Sequence, residues 1–232
     1  SQPNLDIGKL QGEPCIASLD LSSVSDLTSF TLLFPPSKRN YYPDKHLSFN
    51  WFWLPSEKGK DSADKNNQNY AKWLEDGFIE ETEGNVIDYD YIHDRILDIL
   101  QDFSMVKFYY DPYNSTQIVA KLGETIGHNL MFKHRQGFVT MNEPTKTLEV
   151  LINKGSFYHG NNPVLRWCIS NSVLLNDTGG QLVKIGKNTY SQKIDGTITN
   201  IMAISGTIGV QEQTGSWTDG LTEEQIIEIL KG

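Results

Sequence analysis

The chain has 232 residues, 38% of them hydrophobic, which suffices for one substantial core with at most a small appendage. Its 20 Lys and Arg residues face 29 Asp and Glu residues, giving a formal net charge of −9. Because dedicated duplex-binding proteins are usually basic, this balance argues against tight, static DNA binding. It is compatible with an enzyme that holds a nucleic acid transiently and gathers carboxylates around metal.

The remaining composition indicates a chain from a reducing compartment without a membrane span. Cys15 and Cys168 lie far apart and outside any CxxC pair, so both are interpreted as buried apolar residues. No stretch is apolar over the ~20 residues that a membrane helix needs, and the N-terminus lacks a signal-peptide pattern. Residues 1–12 are predicted to be a linker, residues 13–209 one domain, and residues 210–232 a tail with a short helix.

The first segments show the patterns of strands. Residues 15–19 form a short apolar run that ends at Asp20, and residues 27–34 and 47–53 then alternate between apolar and polar side chains. Adjacent alternating strands predict antiparallel neighbours. The polar stretch at residues 56–69 is predicted to be a surface loop.

The apolar period then changes to three or four, which predicts helices. The clearest helix covers residues 88–103, with Asp88 as its N-cap. Strands are predicted at residues 105–110 and 182–185, and further helices after Asn114, at residues 142–153, from Pro163 and after Asp195. Three strands followed by alternating helices and strands predict an α/β fold with a central mixed sheet flanked by helices.

Three aspartates stand where α/β folds gather functional groups. Asp20 ends the first strand, Asp111 ends a later strand, and Asp195 begins a late helix. Converging carboxylates form a hard-oxygen site that suits Mg²⁺ or Mn²⁺. Two such ions ~3.5–4 Å apart can activate water for phosphodiester hydrolysis. Asp20, on the central strand, is the expected bridge between both ions.

The same residues also have an ordinary structural interpretation. Asp-Pro and Asp-Gly are common turn dipeptides, and Asp111-Pro112 and Asp195-Gly196 match them. Asp20 can equally be a turn or cap residue. Spacing alone leaves both interpretations open.

Segments around these aspartates resemble the nuclease domain of the large terminase subunits of tailed bacteriophages. The first is LDLSSVSDLT at residues 19–28, the second is YDPYN at residues 110–114, and the third is KIDG at residues 193–196 with the apolar IMA at residues 201–203. The intervening RQGFVTMNEPTKTLEVLINKG and HGNNPVLRWCISN resemble the family as well. The resemblance covers residues 15–204, and its specificity lies in the ordered set of motifs.

The resemblance implies an RNase H-like fold and a metal-dependent endonuclease that cuts concatemeric viral DNA during packaging, in the cytoplasm of the bacterial host. It implies that Asp20, Asp111 and Asp195 are the catalytic acids that bind two Mg²⁺ or Mn²⁺ ions. Asp26 would be an accessory acid near the site, with a turn or cap aspartate as the alternative. Double-stranded DNA would be bound transiently.

One departure from the family concerns its N-terminal ATPase. No GxxxxGK[ST] phosphate-binding loop occurs in this sequence, and the nearest approach, which ends at Gly186-Lys187, has the wrong spacing. The sequence is therefore interpreted as the nuclease part, without ATPase activity. The ATPase domain, the portal and the small terminase subunit are the partners that the resemblance implies for the full protein.

Several residues around the motifs are candidates for supporting roles. His159 and Asn171 are predicted to be structural and to help hold the loop near the site. Five basic side chains are candidates for contacts with DNA phosphates, with ordinary solvated side chains as the alternative. They are Lys133, Arg135, Lys184, Lys187 and Lys193.

Two other functions stay open. Another RNase H-like nuclease, such as a Holliday-junction resolvase or a transposase core, would share the acidic site and differ in substrate. An inactive docking module of the packaging motor would bind no metal at the aspartates.

In the tail, Thr222 and Gln225 form a capping box, which predicts a short helix. This helix is predicted either to fold back on the domain or to dock on a partner.

Overall fold

The centre of the fold is a mixed sheet in the computed structural model, which describes residues 2–21, 27–57, 67–113 and 115–208. The predictions for Asp26, for Asn114 as a helix cap and for the tail at residues 210–232 lie outside these residues. The sheet has the strand order β4-β3-β2-β1-β5-β6, with β7 beside β3.

The early segments pair as their alternation predicts. β1 (Pro14–Asp20), β2 (Thr28–Phe34) and β3 (His46–Pro55) are successive antiparallel neighbours. β5 (Ser104–Tyr110) is parallel to β1, and β6 (Met131–Lys133) is parallel to β5. The expected mixed sheet with three antiparallel first strands is therefore confirmed.

Short strands extend this framework. β4 (Glu80–Thr82) and β7 (Phe157–Tyr158) both pair with β3 in parallel. β8 (Val173–Asn176) and β9 (Val183–Gly186) form a separate antiparallel hairpin. The backbone N–H of Val183 donates to the Asn142 side chain (2.9 Å), which ties this hairpin to the helix that contains Asn142.

Helices cover both faces of the sheet. They are α1 (Asn67–Glu75), α2 (Tyr89–Leu100), α3 (Thr116–Ile126), α4 (Phe138–Asn153), α5 (Pro163–Asn171) and α6 (Asp195–Ser205). α2 and α3 supply one buried cluster, and α1, α4, α5 and α6 supply the other. Along β1, Ile16 belongs to one cluster and Cys15, Ala17 and Leu19 to the other, so this central strand is buried on both faces.

Side-chain caps fix the starts of some helices, and other helix starts differ from the sequence-based expectation. Asp88 caps α2 as predicted, accepting from the N–H groups of Asp90 and Tyr91. Ser115 precedes α3 and makes no side-chain cap. α4 begins at Phe138, four residues earlier than predicted, so Pro144 lies inside the helix. α1, β4 and β6 to β8 were not predicted, because short or polar segments carry little periodicity.

The segment predicted to be a linker contacts the domain where the structure describes it. It contains a 3-10 helix, Ile7–Leu10, in which Leu10 is fully buried. The Gln2 side chain donates to the Phe157 carbonyl (3.1 Å) and accepts from the His159 N–H (2.7 Å). The domain boundary at residue 12 stays a prediction. Every helix in the described part of the chain is too short or too polar to cross a membrane.

Candidate active site at the carboxyl edge of the sheet

Three parallel strands, β1, β5 and β6, end at the same edge of the sheet, which is called the carboxyl edge below. Leu19 of β1 and Tyr110 of β5 are register partners, so Asp20 and Asp111 are the next residues on adjacent strands. Neighbouring strands lie roughly 4.8 Å apart, which brings the two carboxylates close together. Both side chains are half-buried.

Gln136 joins these two carboxylates. Its amide nitrogen donates to Asp20 Oδ1 (3.1 Å), and the same side chain lies within hydrogen-bonding reach of Asp111. An amide nitrogen carries two hydrogens, so one Gln side chain can serve both acids. No sequence motif indicated Gln136. Its position three residues after β6, which ends at the same edge as β1 and β5, becomes evident only from the pairing of β6 with β5.

Asp111 is held in a polar turn as well. The N–H of Tyr113 donates to Asp111 Oδ1 (3.0 Å), and the hydroxyl of Ser115 donates to the Asp111 carbonyl. Burial raises the pKa of Asp111, and the hydrogen bonds from Tyr113 and Gln136 offset only part of that rise. The turn interpretation of Asp111-Pro112 is thus correct, and it leaves the carboxylate at the edge, where an added cation would favour its ionised form.

α6 brings Asp195 to the same end of the sheet. A Cβ placed on Gly206, after the end of α6, would lie 2.8 Å from Ile16, whereas Ser18 Oγ donates to the Thr199 carbonyl (2.7 Å). α6 therefore runs antiparallel to β1, and its first residue, Asp195, lies toward the strand end at Asp20.

Gly196 lets the start of α6 lie close against the sheet. A Cβ on Gly196 would lie 2.9 Å from the Phe52 ring and 3.3 Å from Leu165. Phe52 pairs with Ser29, which in turn pairs with Asp20, so all three lie in one row across the sheet. Glycine thus permits α6 to begin against the row that contains Asp20.

A buried polar network fixes α6 on the sheet. The Thr199 hydroxyl bonds to Ser29 (3.0 Å) and Thr31 (2.8 Å), and Asn200 donates to the Asn50 side chain (2.7 Å) and accepts from Ser48 (2.6 Å). This network was not predicted from the sequence. Its signal is a pair of polar side chains at period two on each strand, at residues 29 and 31 of β2 and residues 48 and 50 of β3.

The basic candidates occupy different surroundings. Lys133 and Arg135 are exposed next to the end of β6, and Lys187 is exposed after β9. Lys184 is half-buried, and its ammonium donates to the Gln136 carbonyl (3.3 Å) beside the two acids. Lys193 is only 6% exposed, with its ammonium 5.4 Å from the centre of the Tyr190 ring. The expectation of a surface side chain is therefore wrong for Lys193.

Two further expectations concern the loops around the site. Asn171 donates to the Lys193 carbonyl (3.0 Å), so it holds the loop before Asp195 as predicted. His159 packs near Phe157, and burial lowers its pKa, which suits a neutral structural histidine.

The residues present suit a hard divalent cation in their chemistry. Two half-buried carboxylates lie side by side, and carboxylate oxygens are the ligands that Mg²⁺ and Mn²⁺ prefer. Within residues 2–21, 27–57, 67–113 and 115–208, no group of three or more His, Cys, Asp or Glu side chains is close enough to hold a metal ion. The structure therefore brings Asp20 and Asp111 together and places Asp195 at their end of the sheet. The three-acid metal site stays a prediction.

A mixed sheet with helices on both faces and paired carboxylates at the ends of parallel strands defines an α/β domain with an acidic candidate site. Residues 2–209 match the family model of the terminase large subunit, endonuclease domain. The chain belongs to this family.

Individual relatives agree with this assignment. The chain is 29% identical over 205 residues to the large terminase subunit of Enterobacteria phage HK97, covering 88% of this chain and 39% of that protein. It is 29% identical over 210 residues to protein YmfN of Escherichia coli (strain K12), covering 87% of this chain and 45% of that protein. The chain thus spans less than half the length of these curated relatives.

Two crystal structures are similar to this one. The HK97 large terminase superposes with a TM-score of 0.72 at 27% identity, covering 88% of this chain and 43% of that chain. The large terminase nuclease from the thermophilic phage G20c gives a TM-score of 0.54 at 10% identity, covering 88% of this chain and 91% of that chain. The second likeness shows a shared fold alone, and both agree with the expected fold class.

Proposed function

We propose that this chain is a divalent-metal-dependent DNA endonuclease that cuts concatemeric viral DNA during genome packaging. The observation that carries the proposal is the pairing of Asp20 and Asp111 at the carboxyl edge, in a chain of the terminase endonuclease family. Asp195, delivered to that end by α6, is the third acid. Asp26, in the first motif, is an accessory acid.

Each residue has a specific task in this proposal. Asp20, Asp111 and Asp195 would hold two Mg²⁺ or Mn²⁺ ions. Such ions supply an activated water and charge stabilisation for phosphodiester hydrolysis. Exposed Lys133, Arg135 and Lys187, with half-buried Lys184, attract the DNA phosphates toward this edge.

The wider setting rests on the family. In the full protein, an N-terminal ATPase domain, the portal and the small terminase subunit would be the partners, and the host cytoplasm would be the place of action. ATP hydrolysis is not proposed for this chain. Because phosphate contacts carry no base information, cleavage has little sequence preference.

A plasmid-nicking assay tests the proposal. Supercoiled DNA is incubated with the 232-residue chain in Mg²⁺, in Mn²⁺ and in excess chelator. We expect nicked and linear products with either metal and none with chelator. Raising the salt from 50 to 200 mM should reduce cleavage at least about tenfold, because counterion release opposes phosphate binding.

Three outcomes would contradict the proposal or a part of it. Cleavage that persists in chelator would exclude a metal-dependent site. Absence of both cleavage and Mn²⁺ binding would favour a docking module of the packaging motor. Sharp fragments unique to one sequence would contradict the lack of preference and favour a different RNase H-like nuclease.

A further inference from the structure

Contacts on both sides of Gln136 hold its backbone in place beside the two paired acids. The N–H of His134 donates to the Tyr110 carbonyl (2.8 Å), which extends the pairing of β6 with β5 to the strand end. The His134 ring also bonds to Ser205 of α6 (2.7 Å). The loop that begins after β6 is therefore anchored to the sheet and to the helix that carries Asp195.

The other side of Gln136 is anchored by the β8–β9 hairpin. Lys184 of β9 donates to the Gln136 carbonyl (3.3 Å), and its ammonium lies 5.0 Å from the centre of the Phe138 ring. Val183, next along β9, is tied to Asn142 of α4. These contacts restrict the backbone of Gln136, so its amide is presented to the carboxylates in a defined position.

The amide reaches both carboxylates from this position. It donates to Asp20 at 3.1 Å and lies within hydrogen-bonding reach of Asp111. Each ionised carboxylate has about four acceptor sites, so a bond from Gln136 leaves oxygen lone pairs available for a cation. Without a donor shared between them, like-charge repulsion would favour orientations in which the two carboxylates point apart.

We infer that Gln136 is a positioning residue that holds the Asp20 and Asp111 carboxylates in the orientation in which both can bind one divalent cation. This inference rests on the proposed function and adds to it a residue outside the three acids. Hydrogen bonds from outer residues orient metal-binding carboxylates in general, and their loss typically costs 10–100-fold in metal affinity or activity.

Calorimetric titration with MnCl₂, without DNA, tests the inference on the full chain. We expect the dissociation constant for Mn²⁺ to rise about 10- to 100-fold in Gln136→Ala. Gln181→Ala is the matched control, because Gln181 is exposed on the hairpin turn and uses its backbone N–H, not its side chain, to bond to Asp177. This control should bind Mn²⁺ as the wild type does.

A second variant guards against a simple folding defect. Gln136→Glu keeps the size of the side chain and replaces the shared donor with an additional carboxylate. In chelator it should melt below the wild type because of charge repulsion, and Mn²⁺ should raise its melting temperature more than it raises that of the wild type. Equal Mn²⁺-induced shifts would show that the side chain at position 136 does not face the cation site, and they would thereby contradict the positioning role.

The outcomes separate the inference from the proposed function. If Gln136→Ala binds Mn²⁺ within about twofold of the wild-type affinity, and the wild type nicks DNA, the positioning role of Gln136 is wrong and the proposed function stands. No Mn²⁺ binding by the wild type overturns both.

Discussion

Two acidic regions of this molecule differ in what surrounds their carboxylates. Glu80 of β4 is bonded by Arg95 through two nitrogens (3.0 and 2.8 Å), by the Trp53 indole (3.0 Å) and by the Tyr91 hydroxyl (3.2 Å). At the carboxyl edge, the donors that reach the Asp111 carboxylate in the described part of the chain are a backbone N–H and an amide, both neutral.

The pKa values of the two acids move in opposite directions for this reason. Burial alone would raise the pKa of Glu80, but the hydrogen bonds from Arg95 and Trp53 and the charge of Arg95 lower it below its ordinary value. Burial raises the pKa of Asp111, and its neutral donors do not reverse that rise. An acid with a cation from its own chain stabilises the fold, whereas an acid with neutral donors gains most from a cation supplied by solvent.

The largest expected effect is on cleavage by the carboxyl edge. Asp20→Asn, Asp111→Asn and Asp195→Asn should each lower plasmid nicking in Mn²⁺ by roughly 1000-fold or more, because Asn keeps the shape and loses the charge that binds metal. In chelator, Asp111→Asn should melt at or above the wild-type temperature, since it removes a half-buried charge and keeps an oxygen that accepts from Tyr113.

For each variant, one outcome would instead favour the interpretation of the aspartate as a turn or cap residue. A cap or turn aspartate contributes about 1 kcal/mol to stability and nothing to cleavage. If Asp195→Asn melts lower and still cuts DNA, Asp195 is a helix-start residue and the proposed site is wrong. Asp26→Asn should cause a partial loss of cleavage.

Glu80→Gln should lower stability and leave cleavage unchanged, which is the opposite of the effect expected for the aspartate variants. It therefore tests the structural role of Glu80. We expect a loss of about 2 kcal/mol in the free energy of unfolding, because Arg95 keeps a half-buried charge without its main partner. Nicking by the folded variant should equal that of the wild type. Urea unfolding measures the first quantity, and a loss of nicking at full folding would contradict the separation of the two regions.

The contribution of the Glu80 charge to stability should change with pH in a defined direction. The pKa of Glu80 is lowered in the folded chain, so its contribution is fully present above the unfolded value of 4.5 and is lost as the pH falls through the folded pKa. The stability difference between wild type and Glu80→Gln should therefore shrink below pH 4.5. A difference that stays constant from pH 7 to about pH 3 would show that Glu80 acts through packing and not through its charge.

Gly196→Ala tests whether the carboxyl edge depends on the placement of α6. An added methyl would meet Phe52 at 2.9 Å, so we expect a loss of about 1–3 kcal/mol in stability as the helix start shifts. The Mn²⁺ affinity should fall as well, because Asp195 moves with the helix. Gly179→Ala, which meets its nearest neighbour, Asp177, at 3.5 Å, is the matched control. If Gly196→Ala is destabilised but binds Mn²⁺ as the wild type does, Asp195 does not take part in Mn²⁺ binding.

The acids at strand ends could be predicted from sequence, whereas their partners could not. Asp20 and Asp111 each follow an apolar run that reads as a strand, and parallel strands bring their ends together. Gln136 is one polar residue in a loop after the three-residue strand β6, and no local pattern distinguishes it from its neighbours. Its role depends on the pairing of β5 with β6, which is a long-range contact.

The same limit applies to side chains whose surroundings come from distant segments. Lys193 is buried although lysine is usually exposed, and the packing of the Tyr190 ring over its ammonium cannot be read from spacing. Glu80 meets Arg95 only because β4 pairs beside β3 and α2 packs against them. Helices with strong periodicity, such as α2 with its Asp88 cap, were predicted to within three residues at their end.

The smallest expected effect concerns the outermost donor to Glu80. The Tyr91 hydroxyl donates to Glu80 at 3.2 Å from a side chain that is 39% exposed, so water can replace much of this bond. Tyr91→Phe should therefore cost only about 0.5 kcal/mol in the free energy of unfolding, measured in urea. Trp53→Phe removes a buried donor to the same oxygen and should cost several times more, since Trp53 is fully buried. Equal losses for the two variants would show that exposure does not set the strength of these bonds. Glu80 would then be held by the number of its donors and not by how deeply each donor is buried.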